Sequence, residues 1–226
     1  MGLAARMAVF ASTDLYVVIT EEFCGGRCAL AVLDALLGAG VRLVQLREKG
    51  LDDAALYDRC RAFRERTAAT GALLIVDDRV DIALASRADG VHLGQSDLPI
   101  EAARRIAPDL VIGASSHNLE EALAAQMAGA SYVNIGPIFP TQTKSVPTGA
   151  VGTDSITEIA PHLTIPFTCM GGIKLNNIGE VVRHGARHVA VVTAVTEAPD
   201  VCAAAVALRQ AIRDAAPTEA NGIQWI

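Results

Sequence analysis

The stretch LEEALAAQMAGASYVNIG, residues 119–136, contains one complete unit of the pattern that decides the fold. Residues 119–128 are Ala-rich with a helical period, and Gly129 stands where a helix C-cap favours a residue with positive φ. Residues 131–136 then form a short apolar run. This unit is predicted to be a helix that turns at glycine directly into a buried strand.

The same alternation recurs along nearly the whole chain. Helical patterns cover residues 29–37, 53–69 and 178–184, and Gly40, Gly71 and Gly185 each precede a new apolar run. Eight such runs are present, at residues 15–20, 41–46, 72–76, 89–93, 110–115, 131–136, 165–170 and 188–193. Such regular spacing favours a TIM (β/α)8 barrel of class α/β over a doubly wound open sheet.

Composition agrees with a single barrel domain. The 226 residues are 51% hydrophobic but only 4% aromatic, which suits parallel strands covered by Ala-rich helices. We expect residues 1–226 to form one (β/α)8 domain, with 1–13 and 216–226 as flexible termini. The formal net charge is -6 and no block of like charges occurs, so neither nucleic acid nor a membrane is an expected partner.

Cysteine usage and the N-terminus favour a soluble cytoplasmic protein. The five cysteines are odd in number and form no CxxC pair, which favours free thiols in a reducing compartment over a disulfide or a zinc site. The apolar run near residue 10 is short and interrupted for a signal peptide, and no run approaches the ~20 apolar residues of a membrane span. The oligomeric state stays open, and an oligomer is possible.

Polar residues cluster where the predicted strands end. In a barrel of this kind the catalytic groups come from the carboxyl ends of the strands and the loops that follow them. The residues at these ends are Gln45, Arg47, Lys49, Asp77, Asp78, His92, Asp97, Ser115, His117, Thr141, Thr143, Lys144, Gly171, Gly172, Val192 and Thr193. A polar rim at one face indicates a site for small molecules.

In an extended segment alternate side chains share a face, so Gln45, Arg47 and Lys49 would all point the same way. Arg47 and Lys49, together with Lys144, would offer three cations to one anion. The alternative is that Glu48 and other acids pair with them on a solvated surface.

Asp78 and Asp97 follow neighbouring strands, so their carboxylates could share one Mg²⁺, which takes one or two protein carboxylates and completes its shell with water and phosphate. The alternative places Asp78 as a helix cap and Asp97 as ordinary polarity before the helix that follows Pro99.

A second anion site is predicted on the other side of the rim. Gly171 and Gly172 after strand 7, with Val192 and Thr193 after strand 8, lie where barrels commonly hold a phosphate on backbone N–H groups. Thr141 and Thr143 would add two hydroxyls. Two anion sites indicate two phosphorylated ligands.

Seven motifs, in this order and spacing, carry a resemblance to a known family. They are VQLREK (44–49), DDRVDIAL (77–84), GVHLGQSDLP (90–99), IGASSH (112–117), IGPIFPTQTK (135–144), MGGI (170–173) and VAVVTAV (189–195). Over roughly residues 14–212 the chain resembles the thiamine-phosphate synthases. The resemblance implies a transferase that joins a hydroxymethylpyrimidine diphosphate to a thiazole phosphate with Mg²⁺, giving thiamine monophosphate and pyrophosphate.

The resemblance also implies a role for each matched residue. Gln45 would orient the pyrimidine, Arg47, Lys49 and Lys144 would hold the diphosphate and act in catalysis, and Ser115 would contact the reacting region. Thr141 and Thr143, with backbone N–H groups of Gly172, Val192 and Thr193, would hold the thiazole phosphate, and Asp78 and Asp97 would bind Mg²⁺. Catalysis would rest on positioning and leaving-group electrostatics, without a general base.

One position departs from the family pattern. Asp77 stands where the family usually has Asn, so a diphosphate contact is in doubt unless Asp77 shares the metal.

Three rival functions stay open: a thiazole tautomerase-like relative, a non-catalytic binder of thiamine phosphates, and a phosphosugar isomerase using His92 or His117. No Ser-His pair is evident from the sequence.

Overall fold

The computed structural model describes residues 1–143 and 149–217. Within them, parallel strands pair in chain order and the last strand pairs with the first, so the sheet closes into an eight-stranded barrel. The predicted (β/α)8 fold is confirmed. The strands are β1 (Leu15–Ile19), β2 (Leu43–Leu46), β3 (Leu73–Asp77), β4 (Gly90–Leu93), β5 (Val111–Ser116), β6 (Tyr132–Ile135), β7 (Phe167–Cys169) and β8 (His188–Val191).

Helices separate the strands as the hydrophobic period indicates. They are α1 (Leu3–Ala11), α2 (Ala29–Gly38), α3 (Asp53–Thr70), α4 (Val80–Ala85), α5 (Ile100–Ile106), α6 (Leu119–Met127), α7 (Asp154–Ile159), α8 (Ile178–Arg183), α9 (Thr193–Thr196) and α10 (Val201–Ala215). Gly71 caps α3 at φ 71°, and Gly129 follows α6 at φ 93°. Both glycines take the left-handed conformation that lets the chain leave a helix directly for a strand.

Two apolar cores hold the barrel together. The larger lies between the outer faces of the strands and the helices, and its interior includes Leu33, Phe63, Val91 and Ile156. The smaller fills the lumen with inward side chains such as Tyr16, Leu43, Ile75 and Tyr132. The lumen is thus packed by side chains below the rim, which leaves the space at the carboxyl ends of the strands for a ligand.

The N-terminal segment is ordered, which corrects the expectation that residues 1–13 are flexible. Helix α1 lies at the amino ends of the strands, and its fully buried Phe10 packs its ring 4.9 Å from those of Tyr132 and His188. Arg6 on the same helix donates to Asp89 at 3.3 Å. The segment folds because it covers the lumen core. At the other end, α10 runs to Ala215, and residues 218–226 lie outside the described part of the chain.

Candidate active site

A cavity at the carboxyl ends of the strands, which we name the main cavity for the predicted residues it gathers, encloses about 740 Å³, part of it open to solvent. Its lining includes seven of the residues predicted to bind substrate: Gln45, Arg47, Asp77, Ser115, Thr141, Thr143 and Val192. The structure therefore brings together side chains from β2, β3, β5 and the loop after β6. Lys144 lies outside the described residues, so its predicted role stays a prediction.

Arg47 and Lys49 face the acidic end of β3. Lys49 Nζ lies 2.9 Å from Asp77 Oδ2 and also binds Asp78, and Arg47 Nε lies 3.5 Å from the same Asp77 oxygen. Burial alone would lower the pKa of Lys49, but its hydrogen bonds to Asp77 and Asp78 raise it above the usual value. The ammonium is therefore charged at neutral pH, and an incoming anion would compete with both carboxylates for it.

Acids do pair with these two cations, as the surface alternative expects, but they are Asp77 and Asp78 rather than Glu48. Glu48 accepts a hydrogen bond from the Glu21 N–H at 2.9 Å and lies 3.6 Å from Arg59, on the other side of the strand. Burial raises the pKa of its carboxyl. The alternation of side chains along the extended segment therefore places Arg47 and Lys49 on the cavity side and Glu48 on the helix side.

Asp78 and Asp97 follow the neighbouring strands β3 and β4, as predicted. Asp78 has φ 59°, a left-handed backbone that is uncommon for a residue other than glycine and tends to occur at functional sites. It does not cap α4, whose first residue is preceded by Arg79 with no side-chain cap. Asp97 accepts a hydrogen bond from the Gly94 N–H at 2.7 Å, which holds its carboxylate at the loop after β4.

The carboxylates suit Mg²⁺ better than a metal held entirely by protein. In the part of the chain that the structure describes, no cluster of three or more His, Cys, Asp or Glu side chains could enclose an ion. Mg²⁺ needs one or two carboxylates and takes water and phosphate oxygens for the rest. Asp78, which also binds the Lys49 ammonium, and Asp97, held by the Gly94 N–H, stay the two carboxylates predicted for that donor set.

The predicted phosphate site forms a smaller cavity beside the main one. Thr143, Gly171, Gly172, Val192 and Thr193 all line it, and it encloses about 320 Å³. Thr141 and Thr143 bring their hydroxyl oxygens within 3.0 Å of each other. Two adjacent hydroxyls facing a glycine-rich turn can donate to the oxygens of one phosphate.

Gly171 and Gly172 are required at this turn for a steric reason. Both have positive φ, 105° and 61°, and the loop after β6 passes directly over them. A Cβ at Gly171 would lie 2.4 Å from Pro137 Cβ, and one at Gly172 would lie 2.6 Å from the Pro140 carbonyl oxygen. Lys174, which sequence reasoning did not single out, also lines the smaller cavity and can add a positive charge.

A Ser-His pair, which is not evident from the sequence, is present at the floor of the main cavity. Ser115 Oγ lies 3.0 Å from His92 Nε2, and His92 Nδ1 lies 3.0 Å from the Tyr132 hydroxyl. His92 pairs in register with Gly113, and Ser115 follows two residues later on the same face of β5. The proximity depends on this register, which the sequence does not reveal.

The hydrogen bonds continue across the lumen. The hydroxyls of Tyr132 and Tyr16 are 3.0 Å apart, and Gln45 Nε2 donates to the Tyr16 oxygen at 2.7 Å. Burial raises the pKa of both phenols, so each stays protonated at neutral pH. Neither tyrosine was predicted as part of the site. Each tyrosine occupies a strand position whose side chain points into the barrel, and this alternation could have marked both from the sequence.

Two other polar residues complete the lining. His117 Nδ1 lies 2.7 Å from Glu121 Oε2, whose oxygen also accepts the His117 N–H, so this histidine is tied to the start of α6. Asn134 lines the main cavity from β6, and its Oδ1 accepts from the Thr168 hydroxyl at 2.8 Å. A polar Asn within a buried parallel strand is unusual, so its position alone could have identified Asn134 as a candidate site residue from the sequence.

The closed barrel, with polar side chains gathered around a cavity at the carboxyl ends of its strands, has the arrangement of a barrel enzyme. A family model described as thiamine monophosphate synthase matches residues 15–195. The chain belongs to the thiamine monophosphate synthase family and is a transferase.

Individual relatives agree over almost the full length. The chain is 43% identical over 202 residues to a thiamine-phosphate synthase of Shouchella clausii, covering 89% of this chain and 97% of that one. It is 44% identical to a thiamine-phosphate synthase of Chloroflexus aurantiacus, covering 86% and 90%. The solved thiamine phosphate pyrophosphorylase of Pyrococcus furiosus superposes with a TM-score of 0.83 at 37% identity, covering 89% and 96%.

Within residues 1–143 and 149–217, no helix is both long enough and apolar enough to cross a bilayer.

Proposed function

We propose that the chain condenses 4-amino-2-methyl-5-hydroxymethylpyrimidine diphosphate with 4-methyl-5-(2-hydroxyethyl)thiazole phosphate to thiamine monophosphate and pyrophosphate. The observation that carries the proposal is the arrangement of the two anion sites. Arg47 lines the main cavity, with Lys49 beside it at Asp77, whereas Thr143 and Gly172 line the smaller cavity. A cavity with two separated anion sites suits a reaction that joins two phosphorylated molecules.

In this proposal the bond between the pyrimidine methylene carbon and the diphosphate oxygen breaks first, and both electrons leave with the diphosphate. Arg47 and Lys49 stabilise the charge that develops there, because a cation placed where charge appears lowers the barrier. The amino group of the pyrimidine donates electron density to the resulting carbocation. The thiazole nitrogen then attacks with its lone pair and forms the C–N bond, so no protein base is needed.

Asp78 and Asp97 are the residues that would hold Mg²⁺ beside the diphosphate. When bound, Mg²⁺ would neutralise part of the leaving group's charge. Asp77 would orient Arg47 and Lys49 through the ion pairs described above. Lys144, which lies outside the described residues, is expected to add a third cation.

The thiazole phosphate would bind at the smaller cavity. Hydroxyls of Thr141 and Thr143 and backbone N–H groups of Gly172, Val192 and Thr193 would receive it there, while Gln45 and Ser115 face the pyrimidine in the main cavity. Holding both reactants at fixed positions turns a bimolecular step into an effectively unimolecular one, which lowers the barrier through entropy.

The direct test is an assay of pyrophosphate and thiamine monophosphate with both substrates, each substrate alone, and Mg²⁺ present or replaced by excess EDTA. We expect equal amounts of the two products only when both substrates and Mg²⁺ are supplied. Binding of both substrates without product would support the non-catalytic alternative. Conversion of the thiazole alone, without pyrophosphate release, would support a tautomerase.

A further inference from the structure

A continuous row of hydrogen bonds crosses the barrel lumen beneath the main cavity. It runs from Gln45 on β2 through the hydroxyls of Tyr16 and Tyr132 to His92, and ends at the Ser115 hydroxyl on β5. We refer to these five residues as the lumen chain. Both of its ends, Gln45 and Ser115, line the cavity that receives the pyrimidine in the proposed function.

The direction of the first three bonds follows from the amide of Gln45. Its Nε2 donates to the Tyr16 oxygen, and the Tyr132 oxygen 3.0 Å away is then the acceptor that this contact offers to the Tyr16 proton. The proton of Tyr132 is in turn directed to His92 Nδ1. Both phenols are fully buried, and a buried hydroxyl that fails to donate destabilises the fold.

The rest of the direction is set by the histidine tautomer. A neutral imidazole that accepts at Nδ1 carries its proton at Nε2. His92 Nε2 then donates to Ser115 Oγ at 3.0 Å, and the Ser115 proton is left to point into the cavity. At the other end, the Nε2 of Gln45 is engaged by Tyr16, so its Oε1 is the group offered to a ligand.

We propose that Tyr16, Tyr132 and His92 are positioning residues that fix the hydrogen-bonding polarity of the cavity, with an acceptor at Gln45 and a donor at Ser115. The pattern suits an aminopyrimidine, which carries an exocyclic N–H donor and ring-nitrogen acceptors. None of the three residues needs to touch the reacting atoms. The inference rests on the proposed function only in taking the pyrimidine as the ligand.

Packing around the chain supports a fixed arrangement. Gly113 lies beneath the Tyr132 ring, and a Cβ there would be 2.1 Å from Tyr132 Cζ. The absence of a side chain at residue 113 is therefore what lets the phenol cross β5 to reach His92, with which Gly113 is in register. Phe10 supports the same ring from below at 4.9 Å.

The first experiment reads the tautomer directly and needs no substrate. In protein carrying ¹⁵N-labelled histidine, two-bond couplings show which ring nitrogen of His92 carries the proton, with the signal assigned by its loss in His92→Gln. We expect the Nε2–H form in the wild type and a mixture of tautomers in Tyr132→Phe. Tyr57→Phe, which changes the third tyrosine of the chain on helix α3, is the matched control and should leave the signal unchanged.

The second experiment separates positioning from general stability. Tyr16→Phe frees the Gln45 amide to rotate, so we expect the KM for the pyrimidine diphosphate to rise about 5- to 10-fold, as loss of one net hydrogen bond predicts. The KM for the thiazole phosphate should stay within twofold, and Tyr57→Phe should change neither.

Two results would overturn the inference: an Nδ1–H tautomer in the wild type, or a Tyr16→Phe variant that is folded by circular dichroism and has both KM values unchanged. If the wild type releases no pyrophosphate, the proposed function fails, but the tautomer measurement still decides the polarity of the lumen chain.

Discussion

Lys49 Nζ lies 2.9 Å from Asp77 Oδ2, so the carboxylate that departs from the family's usual Asn is directed at a cation expected to hold the diphosphate. The same oxygen lies 3.5 Å from Arg47 Nε. Asp77 therefore competes with an incoming anion for both cations, while it also keeps them at the cavity.

We expect Asp77→Asn to tighten binding of the pyrimidine diphosphate about fivefold at saturating Mg²⁺, since a charge pair near contact is worth about 1 kcal/mol in water. The same change should weaken Mg²⁺ binding if Asp77 contributes to the metal site. Isothermal titration calorimetry measures both affinities. Asp34→Asn, on helix α2, removes a carboxylate that pairs with Arg66 and serves as the control. Unchanged affinities in Asp77→Asn would contradict the prediction.

Replacing Lys49 and Thr143 should separate the two anion sites. Lys49→Ala is expected to lower kcat about 100-fold, because a group that stabilises developing charge acts in the transition state. Thr143→Ala should instead raise the KM for the thiazole phosphate roughly 10-fold, as expected for a lost hydrogen bond to a charged group. From the sequence, Lys144→Ala should behave like Lys49→Ala. Steady-state kinetics with each substrate varied in turn would show whether the two effects are separate or the same.

Asp97→Ala should cut the rate by orders of magnitude and raise the Mg²⁺ concentration needed for half-maximal activity. The reason is the loss of one of two carboxylates expected to hold the ion beside the leaving group. Magnesium titrations of turnover in the wild type and the variant measure this. Asp53→Asn, which alters an exposed carboxylate paired with Arg79, should leave the titration unchanged. Full wild-type activity in excess EDTA would refute a magnesium requirement.

Gly113→Ala should destabilise the fold, because the added Cβ would lie 2.1 Å from Tyr132 Cζ in a closely packed lumen. Overpacking of this kind costs about 1–3 kcal/mol, which lowers Tm by several degrees in a chain of this size. Gly38→Ala is the matched control, because nothing lies within 4 Å of its Cβ position on helix α2. It should leave Tm unchanged or raise it, and equal losses in both variants would contradict the packing argument.

Stability should fall as the pH drops from about 6.5 to 4. Burial lowers the pKa of His188 to about 4, and its Nδ1 lies 2.8 Å from the Thr13 carbonyl oxygen. The unfolded state, with its ordinary histidine pKa, binds the proton first, so acid favours unfolding by up to about 3 kcal/mol.

Urea denaturation across this pH range tests the effect. His188→Gln should flatten the pH dependence of the free energy of unfolding, whereas His162→Gln, at an exposed histidine, should keep it. If the free energy of unfolding of His188→Gln depends on pH as in the wild type, other groups cause the acid sensitivity.

Much of the fold follows from the sequence because helical and strand periods are local properties. In the unit at residues 119–136, the predicted helix 119–128 and strand 131–136 differ from α6 (Leu119–Met127) and β6 (Tyr132–Ile135) by one residue at an end, because the hydrophobic period lies within these residues. The rim follows as well, because all carboxyl ends of parallel strands meet at one face. Helix α1 was missed because a nine-residue helix depends on packing, here of Phe10 against the lumen.

The lumen chain was missed for a different reason. Ser115 and His92 were both recognised as strand-end residues, but their contact depends on the register of β4 with β5. The Tyr16 and Tyr132 contact depends on how far the closed sheet brings opposite strands together, and on the space that Gly113 leaves. Neither distance is encoded in any local window of sequence.

Helix α1 has a consequence for proton movement. Phe10, fully buried, stands below Tyr132 and beside the His188 ring, with Leu3 and Met7 packed on the same core, so among the described residues mostly apolar side chains cover the amino-terminal end of the lumen. Protons of the two phenols can then exchange with bulk water through the cavity mouth. If the substrates of the proposed reaction cover that mouth, the lumen would be isolated and would keep the same number of protons until the products leave.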